Sequence, residues 1–516
     1  MRFGRSSAAL PILVAAFELS GCTGSTDSAP PPALVSSLSK KTVSSPVLPP
    51  NGWPEDKRAL HALSRLAYGP RPGEVEIVAR QGVETWIRAQ MAPAGLEDAA
   101  TEAKLRSLPT ASLTIPALFR EFRRPQDVAQ THGMDKDGPE AREKLREPGL
   151  PKRRTALIGQ QLAAAKLVRA VESRRQLQEV LVDFWFNHFN VFADKGEDRW
   201  MVGAYERDAI RPHVLGGFRD LLGATASHPA MLFYLDNWRS TRNGWKGRGL
   251  NENYARELLE LHTLGVDGGY TEADVREVAR CFTGWSLVPP RAAGAPARRG
   301  PAADLEAGSF VYRDAAHDKG EKRVLGTTIP AGGGRADGEI VLDLLVRHPS
   351  TARTIATKLC RRFVSDDPPP ALVARVAEVF RRAEGDLPSV YAAIFSSPEL
   401  WSDDSFKSKT KTPLELVASA VRAVGGSVDP AQATPLSQHV SRMGQPLYRC
   451  QPPTGFPDVA DAWVNAGALL NRLNFAAALA AGRIPGVSGD PALLAHGPDP
   501  VRVAALALGS PEFQKR

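Results

Sequence analysis

The chain has 516 residues, of which 43% are apolar and 24% charged, and its formal net charge is +8. These are ordinary globular values, so we expect a large core and exclude wholesale disorder. Basic residues alternate with acidic ones, and no basic stripe contains aromatic residues, so nucleic acid is not an expected partner. The four cysteines form no CxxC or Cys/His cluster, which argues against a zinc finger.

The N-terminus has the features of an export signal. Two arginines precede an apolar run over residues 8–17, and the sequence LSGC follows. The run is too short for a membrane span, which needs about 20 apolar residues. LSGC is similar to the bacterial lipobox, and this resemblance implies cleavage after residue 21 and lipid attachment to Cys22. An ordinary secretory signal is the alternative, because Pro11 and Glu18 interrupt the apolar pattern.

Residues 22–52 are rich in serine, threonine and proline and predict a tether rather than a folded segment. Thr23 follows the cysteine, so no aspartate stands there to favour retention at the inner membrane. We therefore expect an exported lipoprotein that is held at a membrane through Cys22, at the outer membrane if the cell is Gram-negative.

The body is predicted to be mostly α, with a large multi-helix architecture in one or two lobes. We assign an N-terminal helical lobe to 53–287, an irregular insertion to 288–338 and a C-terminal helical lobe to 339–516. The two lobes could also form one domain. Within the insertion, SFVYR and KRVLGTTIP are expected to pair as a β-hairpin. After three short helices that start at Glu55, helices are predicted over 156–191, 214–226, 251–264, 272–285, 339–346, 350–364, 371–383, 387–395, 413–424 and 460–481.

The predicted helix over 251–264 carries an unusual set of polar groups. Glu257 and Glu260 are i,i+3 neighbours with Asn253 beside them and Arg256 at the flank. Paired carboxylates of this kind bind a divalent cation or divide the roles of general acid and base. The alternative is a solvated helix face on which Arg256 pairs with Glu260.

A second polar set interrupts the apolar stretch LVDFWFNHFNVF. Asp183, Asn187 and Asn190 fall on one stripe, and His188 lies next to it. A helix that is apolar all round is buried, and buried polar groups need partners. The functional interpretation is a cavity wall on which Asp183 or His188 acts on a ligand or metal and the asparagines bind it. The alternative is an internal hydrogen-bond network that joins helices.

The third set is His317 and Asp318 in a predicted loop, followed by Lys319. A loop histidine beside a carboxylate is a candidate for ligand binding or acid–base chemistry. A solvent-exposed loop is the alternative.

Several long stretches of the chain form a recognisable set. They are HALSRLAYGPRPGEVE, DFWFNHFNV, YERDAIRPHVLGGFRDLL, HPAMLFYLDN, NENYARELLELHTLGVDGGYTEADVREVARCFTGW, HDKGEKRVLG, HPSTARTIATKLCRRFV, SPEL followed by KTPLELV, and QPPTGFPDVADAWVNAGALLNRLNF. Together they resemble the bacterial family called domain of unknown function 1800. The resemblance implies an exported, mostly helical bacterial protein, often encoded beside a second exported family, domain of unknown function 1501, which looks sulfatase- or phosphatase-like. It implies no catalytic residues.

Two functional hypotheses follow from these three sets. In the first, they share one polar cleft in an envelope enzyme, hydrolytic or lytic, in which Glu257 and Glu260 supply acid and base and His317 and His188 assist. A divalent cation is the cofactor that this cleft could hold, with Glu257, Glu260 and Asp183 as candidate ligands. In the second, the protein is a non-catalytic binding or assembly partner of the neighbouring sulfatase- or phosphatase-like protein.

Overall fold

The computed structural model describes residues 46–50, 52–122, 155–289, 306–494 and 499–516. The chain from Val43 to Arg516 is one compact unit, and its described part is mostly α-helical, as predicted. The predicted signal sequence, Cys22, most of the predicted tether and the centre of the predicted insertion lie outside the described residues.

The helices fall into three runs along the chain. The first run is Glu55–Arg65, Glu74–Gln81, Val83–Met91, Ala99–Leu105, Pro109–Ser112 and Ile115–Glu121. The second is Ala156–Glu172, Gln176–His188, Asp198–Ala204, Phe218–Ser227, Pro229–Tyr234, Asn253–Glu257 and Glu272–Cys281. The third is Ala336–Arg347, Pro349–Phe363, Pro370–Arg382, Leu387–Phe395, Pro413–Ala423, Thr434–Arg442, Ala466–Ala480 and Pro500–Gly509.

The predicted helix over 156–191 is broken into two helices by a turn at residues 173–175. The buried carboxylate of Asp98 accepts hydrogen bonds from the Ser173 hydroxyl at 2.7 Å and from the Arg174 backbone N–H at 3.0 Å. These bonds stabilise the turn because they give the Ser173 hydroxyl and the Arg174 backbone N–H a partner outside the helix. Helical periodicity could not reveal this break, because Asp98 is distant in sequence.

The β-structure differs from the predicted hairpin. Phe310–Tyr312 pairs antiparallel with Trp285–Leu287, and Trp285 was predicted as the last residue of the helix over 272–285. Lys322–Val324 pairs instead with Thr327–Ile329. The two residues between these strands, Leu325 and Gly326, both have positive φ, at 49° and 80°. Such a two-residue turn closes a local hairpin, so KRVLGTTIP pairs with itself. A third pair joins Ser427–Val428 to Val487–Ser488.

The segment predicted as one helix over 251–264 changes type along its length. It is α-helical over Asn253–Glu257 and π-helical over Leu258–Thr263. A π-helix pairs residues five apart, so the 3.6-residue periodicity used to place its side chains does not hold there. Gly265, with φ of 89°, ends the segment.

One continuous apolar core contains buried residues from Ala59 to Leu508, and therefore from both predicted helical lobes. In the ranges that the structure describes, no helix combines the length and apolar character that crossing a bilayer requires.

We predict that Gly338→Ala lowers stability, although alanine is the better helix former. A Cβ atom at Gly338 would lie 2.8 Å from Cζ2 of the buried Trp285 indole. Overpacking costs about 1–3 kcal/mol, more than the roughly 0.5–1 kcal/mol that alanine contributes in a helix. The matched control is Gly159→Ala, whose Cβ would meet nothing closer than 3.9 Å. Thermal unfolding should show a lower midpoint for Gly338→Ala only; an unchanged midpoint would contradict this contact.

Candidate functional site

A cavity of about 220 Å³ lies between the Gln176–His188 helix, the Pro349–Phe363 helix and the segment 445–463. We call it the Lys358 cavity. Its wall combines charged groups of both signs with aromatic rings, the mixture that binding sites for small organic ions present. The charged groups are Lys166, Asp183, Lys358, Arg361, Arg362 and Asp458, and the rings are Phe184, Phe186, His188, Tyr448, Phe456 and Trp463.

Lys358 is the least compensated of these charges. Its Nζ donates to the Leu261 carbonyl at 3.0 Å and to Nδ1 of His188 at 3.1 Å. Among the described residues it forms no ion pair with a carboxylate. Burial, together with the neighbouring Arg361, lowers the pKa of Lys358 to about 8.

The hydrogen bonds of His188 determine which ring nitrogen carries the proton. Nε2 lies 3.1 Å from the His262 carbonyl, which can only accept, so Nε2 is the protonated nitrogen. Nδ1 then accepts from Lys358. Burial and the charge of Lys358 hold the pKa of His188 well below its usual value, so the ring is neutral at pH 7. An ammonium group has three donors, and these contacts use two of them. The third is available to a ligand.

Both carbonyl groups come from the π-helical segment Leu258–Thr263. The last carbonyls of a helix have no partner within it and carry its partial negative charge. Here the carbonyls of Leu261 and His262 accept hydrogen bonds from side chains. The carbonyl of Leu264, just after the segment, accepts from the Thr354 hydroxyl at 2.8 Å. The segment that suggested a carboxylate site therefore contributes to the cavity through its backbone.

Another part of the cavity wall belongs to a compact ion-pair network. Lys166 Nζ lies 2.9 Å from Asp183 Oδ1 and 3.3 Å from Glu206 Oε2. Glu206 also lies 3.3 Å from Arg211 and accepts from the Tyr448 hydroxyl at 2.7 Å. Burial alone would raise the pKa of Glu206, but Lys166 and Arg211 outweigh it and lower the value to about 2. Asp183 is the outermost carboxylate, with 25% of its side chain exposed.

The two asparagines clamp a loop rather than point freely into the cavity. Asn187 donates to the Phe456 carbonyl and accepts from the Phe456 N–H, both at 2.7 Å. Asn190 donates to the carbonyls of Cys450 and Pro452 at 2.9 and 2.8 Å. The hydrogen-bond network that was the alternative interpretation therefore describes these two residues, while Asp183 and His188 do lie in a cavity wall.

The two glutamates of the segment 251–264, Glu257 and Glu260, lie outside the wall of the Lys358 cavity. Glu257 is partly exposed and has no polar partner among the described residues; burial and the adjacent Glu260 raise its pKa. Glu260 faces the Tyr270 hydroxyl at 3.5 Å. Arg256 does not pair with Glu260 but binds both carboxylate oxygens of Glu272, at 2.8 and 2.7 Å.

The remaining residues of the predicted cleft are used in other contacts. Asn253 is exposed and donates to the Leu235 carbonyl at 3.2 Å. Asp318 is held by Arg280 through two hydrogen bonds of 3.0 Å, and this guanidinium lowers the pKa of the carboxyl group.

His317 belongs to a separate, fully buried cluster. Its Nε2 lies 3.0 Å from Asp337 Oδ2 and its Nδ1 lies 2.8 Å from the Thr283 carbonyl. Lys322 meets the same Asp337 oxygen at 2.5 Å. The expectation of one cleft shared by all three sequence segments is therefore wrong, because its side chains are divided among different surroundings.

The candidate ligands for a divalent cation do not come together in one cluster of three. Across the described ranges, no group of three or more histidine, cysteine, aspartate or glutamate side chains could hold a metal ion. The candidate ligands Glu257, Glu260 and Asp183 therefore do not belong to such a cluster.

Sequence reasoning missed the cations of the Pro349–Phe363 helix. A lysine or arginine on an amphipathic helix is usually solvated, so the sequence did not indicate Lys358 and Arg361 as site residues. One signal was present: Arg362 follows the apolar stripe of Ile355 and Leu359 by three residues, and a charge on such a stripe indicates a buried ion pair.

The fold and the cavity together define a mostly α-helical protein with a cation-rich internal site. A family model described as "Protein of unknown function (DUF1800)" matches residues 61–515, so the chain belongs to this family, as the sequence resemblance predicted. No curated protein and no solved structure matches it.

We predict opposite effects on stability for two lysines of the cavity wall. Lys358→Met removes a partly buried charge that has no carboxylate partner among the described residues, so the free energy of unfolding should stay level or rise. Lys166→Met leaves Asp183 without its cation and Glu206 with Arg211 alone. It should cost about 3 kcal/mol, the low end of the range for a broken buried pair, because Asp183 is partly exposed. Urea unfolding at neutral pH compares the two variants. Equal losses in both would show that Lys358 has a structural role.

Proposed function

We propose that this protein binds a small anionic molecule in the Lys358 cavity, as an exported lipoprotein of the bacterial envelope. The observation that carries the proposal is the position of Lys358 and Arg361. They lie three residues apart on one helix, line the same cavity and have no carboxylate partner in the described part of the chain. The Arg361 contact is with a backbone carbonyl, that of Asp366, at 3.0 Å. A ligand carboxylate or phosphate would supply the missing countercharge.

The size of the cavity supports a small molecule over a polymer. Ligand pockets usually measure about 300–1,000 Å³, and this cavity measures about 220 Å³. A polysaccharide or lipid chain would need an extended groove. Within an enzymatic hypothesis, hydrolysis of a small anionic substrate therefore fits better than lysis of an envelope polymer.

If the protein is an enzyme, Lys358 is the best-placed base. A pKa of about 8 leaves part of the Lys358 population as the neutral amine near pH 7. A neutral amine that donates its two N–H groups to Leu261 and His188 would direct its lone pair elsewhere, available to take a proton from substrate or water. The proposal replaces Glu257 and Glu260 with Lys358 in this role, and it includes no divalent cation.

A second candidate function is assembly with another exported protein, and an apolar surface supports it. Leu469, Leu470 and Leu473 are 42%, 60% and 52% exposed on the Ala466–Ala480 helix. The only charged residue of this helix, Arg472, is buried. A charge-free, leucine-rich face has the composition of a protein interface core. The co-encoded sulfatase- or phosphatase-like family is the partner that this candidate implies.

Anion binding is tested by calorimetric titration with 4-methylpentanoate and with inorganic phosphate. We expect saturable binding of at least one probe near pH 7 and an affinity lower by about tenfold or more in Lys358→Met, because a charge contact is lost. Affinity should also fall as the pH rises through about 8, where Lys358 loses its proton. Lys319→Met, which alters an exposed lysine paired with Asp314, is the control. Absence of binding by both probes, or equal affinity in Lys358→Met, would overturn the proposal and favour the assembly role.

Lipid attachment is tested by expressing the full chain in a bacterial host. We expect the protein in the membrane fraction, with the mass of a lipid-modified N-terminal cysteine at position 22. Cys22→Ala should lose both properties because it removes the sulfur that accepts the diacylglycerol group. Cys450→Ala, which alters a buried cysteine, should retain them. A wild-type protein that is unmodified at Cys22 would refute the anchor.

A further inference from the structure

We infer that the ligand of the Lys358 cavity is a zwitterion of amino-acid size, with its carboxylate at Lys358 and Arg361 and its ammonium group at Asp183. This inference rests on the proposed function, because it names the chemical class of the anion proposed there. It adds a requirement for a positive charge on the same molecule.

The Asp183 side of the cavity carries an excess of negative charge. Arg211 binds Glu179 through two contacts, of 2.6 and 3.0 Å, and it also reaches Glu206. Lys166 is shared between Glu206 and Asp183. The network therefore contains three carboxylates and two cations. The side chains of Glu179 and Glu206 are only 6% and 9% exposed, so a ligand reaches the excess charge through Asp183.

Asp183 has one oxygen free for such a contact. Its Oδ1 accepts from Lys166 at 2.9 Å. Its Oδ2 has no hydrogen-bond partner among the described residues, and the side chain lines the cavity. A carboxylate oxygen accepts charge-assisted hydrogen bonds from an ammonium group.

The cations of the Pro349–Phe363 helix give another part of the wall an excess of positive charge. Lys358 and Arg361 have no carboxylate partner in the described ranges, whereas the neighbouring Arg362 is paired with Glu415. Asp458, the second carboxylate of the wall, is already compensated by Lys409 at 3.4 Å and by Arg516 at 3.7 Å. One small cavity thus presents Asp183 and two cations that are all incompletely compensated. A simple anion would satisfy the cations alone and would add its charge to that of Asp183. A zwitterion satisfies both signs and adds no net charge to a partly desolvated space.

The size and the rings of the cavity indicate the rest of the ligand. A volume of about 220 Å³ lies just below the usual range of ligand pockets, about 300–1,000 Å³, and fits a compact molecule of amino-acid size. Phe184, Phe456 and Trp463 line the wall, with the last two rings 6.0 Å apart. An apolar side chain would pack against these rings. A branched aliphatic amino acid is therefore the probe of choice.

Three ligands of nearly equal shape separate the contributions of the two charges. These are leucine, tested as each enantiomer, 4-methylpentanoate, which lacks the amino group, and 3-methylbutylamine, which lacks the carboxylate. Calorimetric titration of the wild-type chain near pH 7 should show one leucine enantiomer binding about tenfold or more tightly than 4-methylpentanoate, since a desolvated charge contact is worth at least that much. The amine should bind more weakly than either acid.

The Asp183→Asn variant tests the assignment of the ammonium contact. It should reduce the preference for leucine over 4-methylpentanoate to about threefold or less, because the partner of the ammonium loses its charge. The affinity for 4-methylpentanoate itself should stay level or improve. A residue with only a structural role would weaken both ligands equally. If this variant does not fold, the wild-type comparison alone decides the question.

Each outcome distinguishes this inference from the function on which it rests. If 4-methylpentanoate binds as tightly as leucine, the zwitterion is refuted and the anion site remains. If Asp183→Asn keeps the full preference for leucine, the assignment of Asp183 is refuted. If neither acid nor phosphate binds, the anion site fails as well.

Discussion

The Lys358 cavity depends on the free carbonyl groups at the end of the π-helical segment Leu258–Thr263. Those of Leu261 and His262 accept hydrogen bonds from Lys358 and His188, so one helix end orients both side chains. The same carbonyls carry the partial negative charge of the helix. This charge stabilises the ammonium group of Lys358, which pairs with no carboxylate of the described residues. The two contacts leave one donor of the lysine unused.

Buried charges around the cavity differ in how completely they are compensated. Lys166 lies between two carboxylates, an arrangement that is costly to disrupt and that compensates the charge of the lysine. Lys358 has only neutral partners, so burial makes its charge unfavourable until an anion arrives. A partly buried charge of this kind lowers the stability of the folded protein. Such destabilising groups are common at positions that bind a ligand. Within one cavity wall, Lys166 is therefore a structural residue and Lys358 is a candidate binding residue.

Sequence reasoning found one half of this wall for a sound reason. Asp183 and His188 interrupt a stretch that is otherwise apolar, and the need of buried polar groups for partners is visible in a single segment. It did not place Glu257 and Glu260 correctly relative to this wall. It assumed that their segment is a regular α-helix and that the two glutamates face the other polar segments. It failed for Lys358 because a lysine on an amphipathic helix looks solvated until the packing of its neighbours is known.

The mostly α-helical class, the presence of most helices in the central part of the chain and the membership of the family were all determined by the sequence. Each can be recognised from local periodicity or from long continuous stretches of similarity to the family. The tertiary structure decided the break at residues 173–175, the strand partners, the π-helical segment and the composition of the cavity. Each of these depends on contacts between residues that are far apart in sequence, such as Asp98 with Ser173 and Lys358 with His188. Local patterns specify which side chains are buried, but only packing specifies which of them meet.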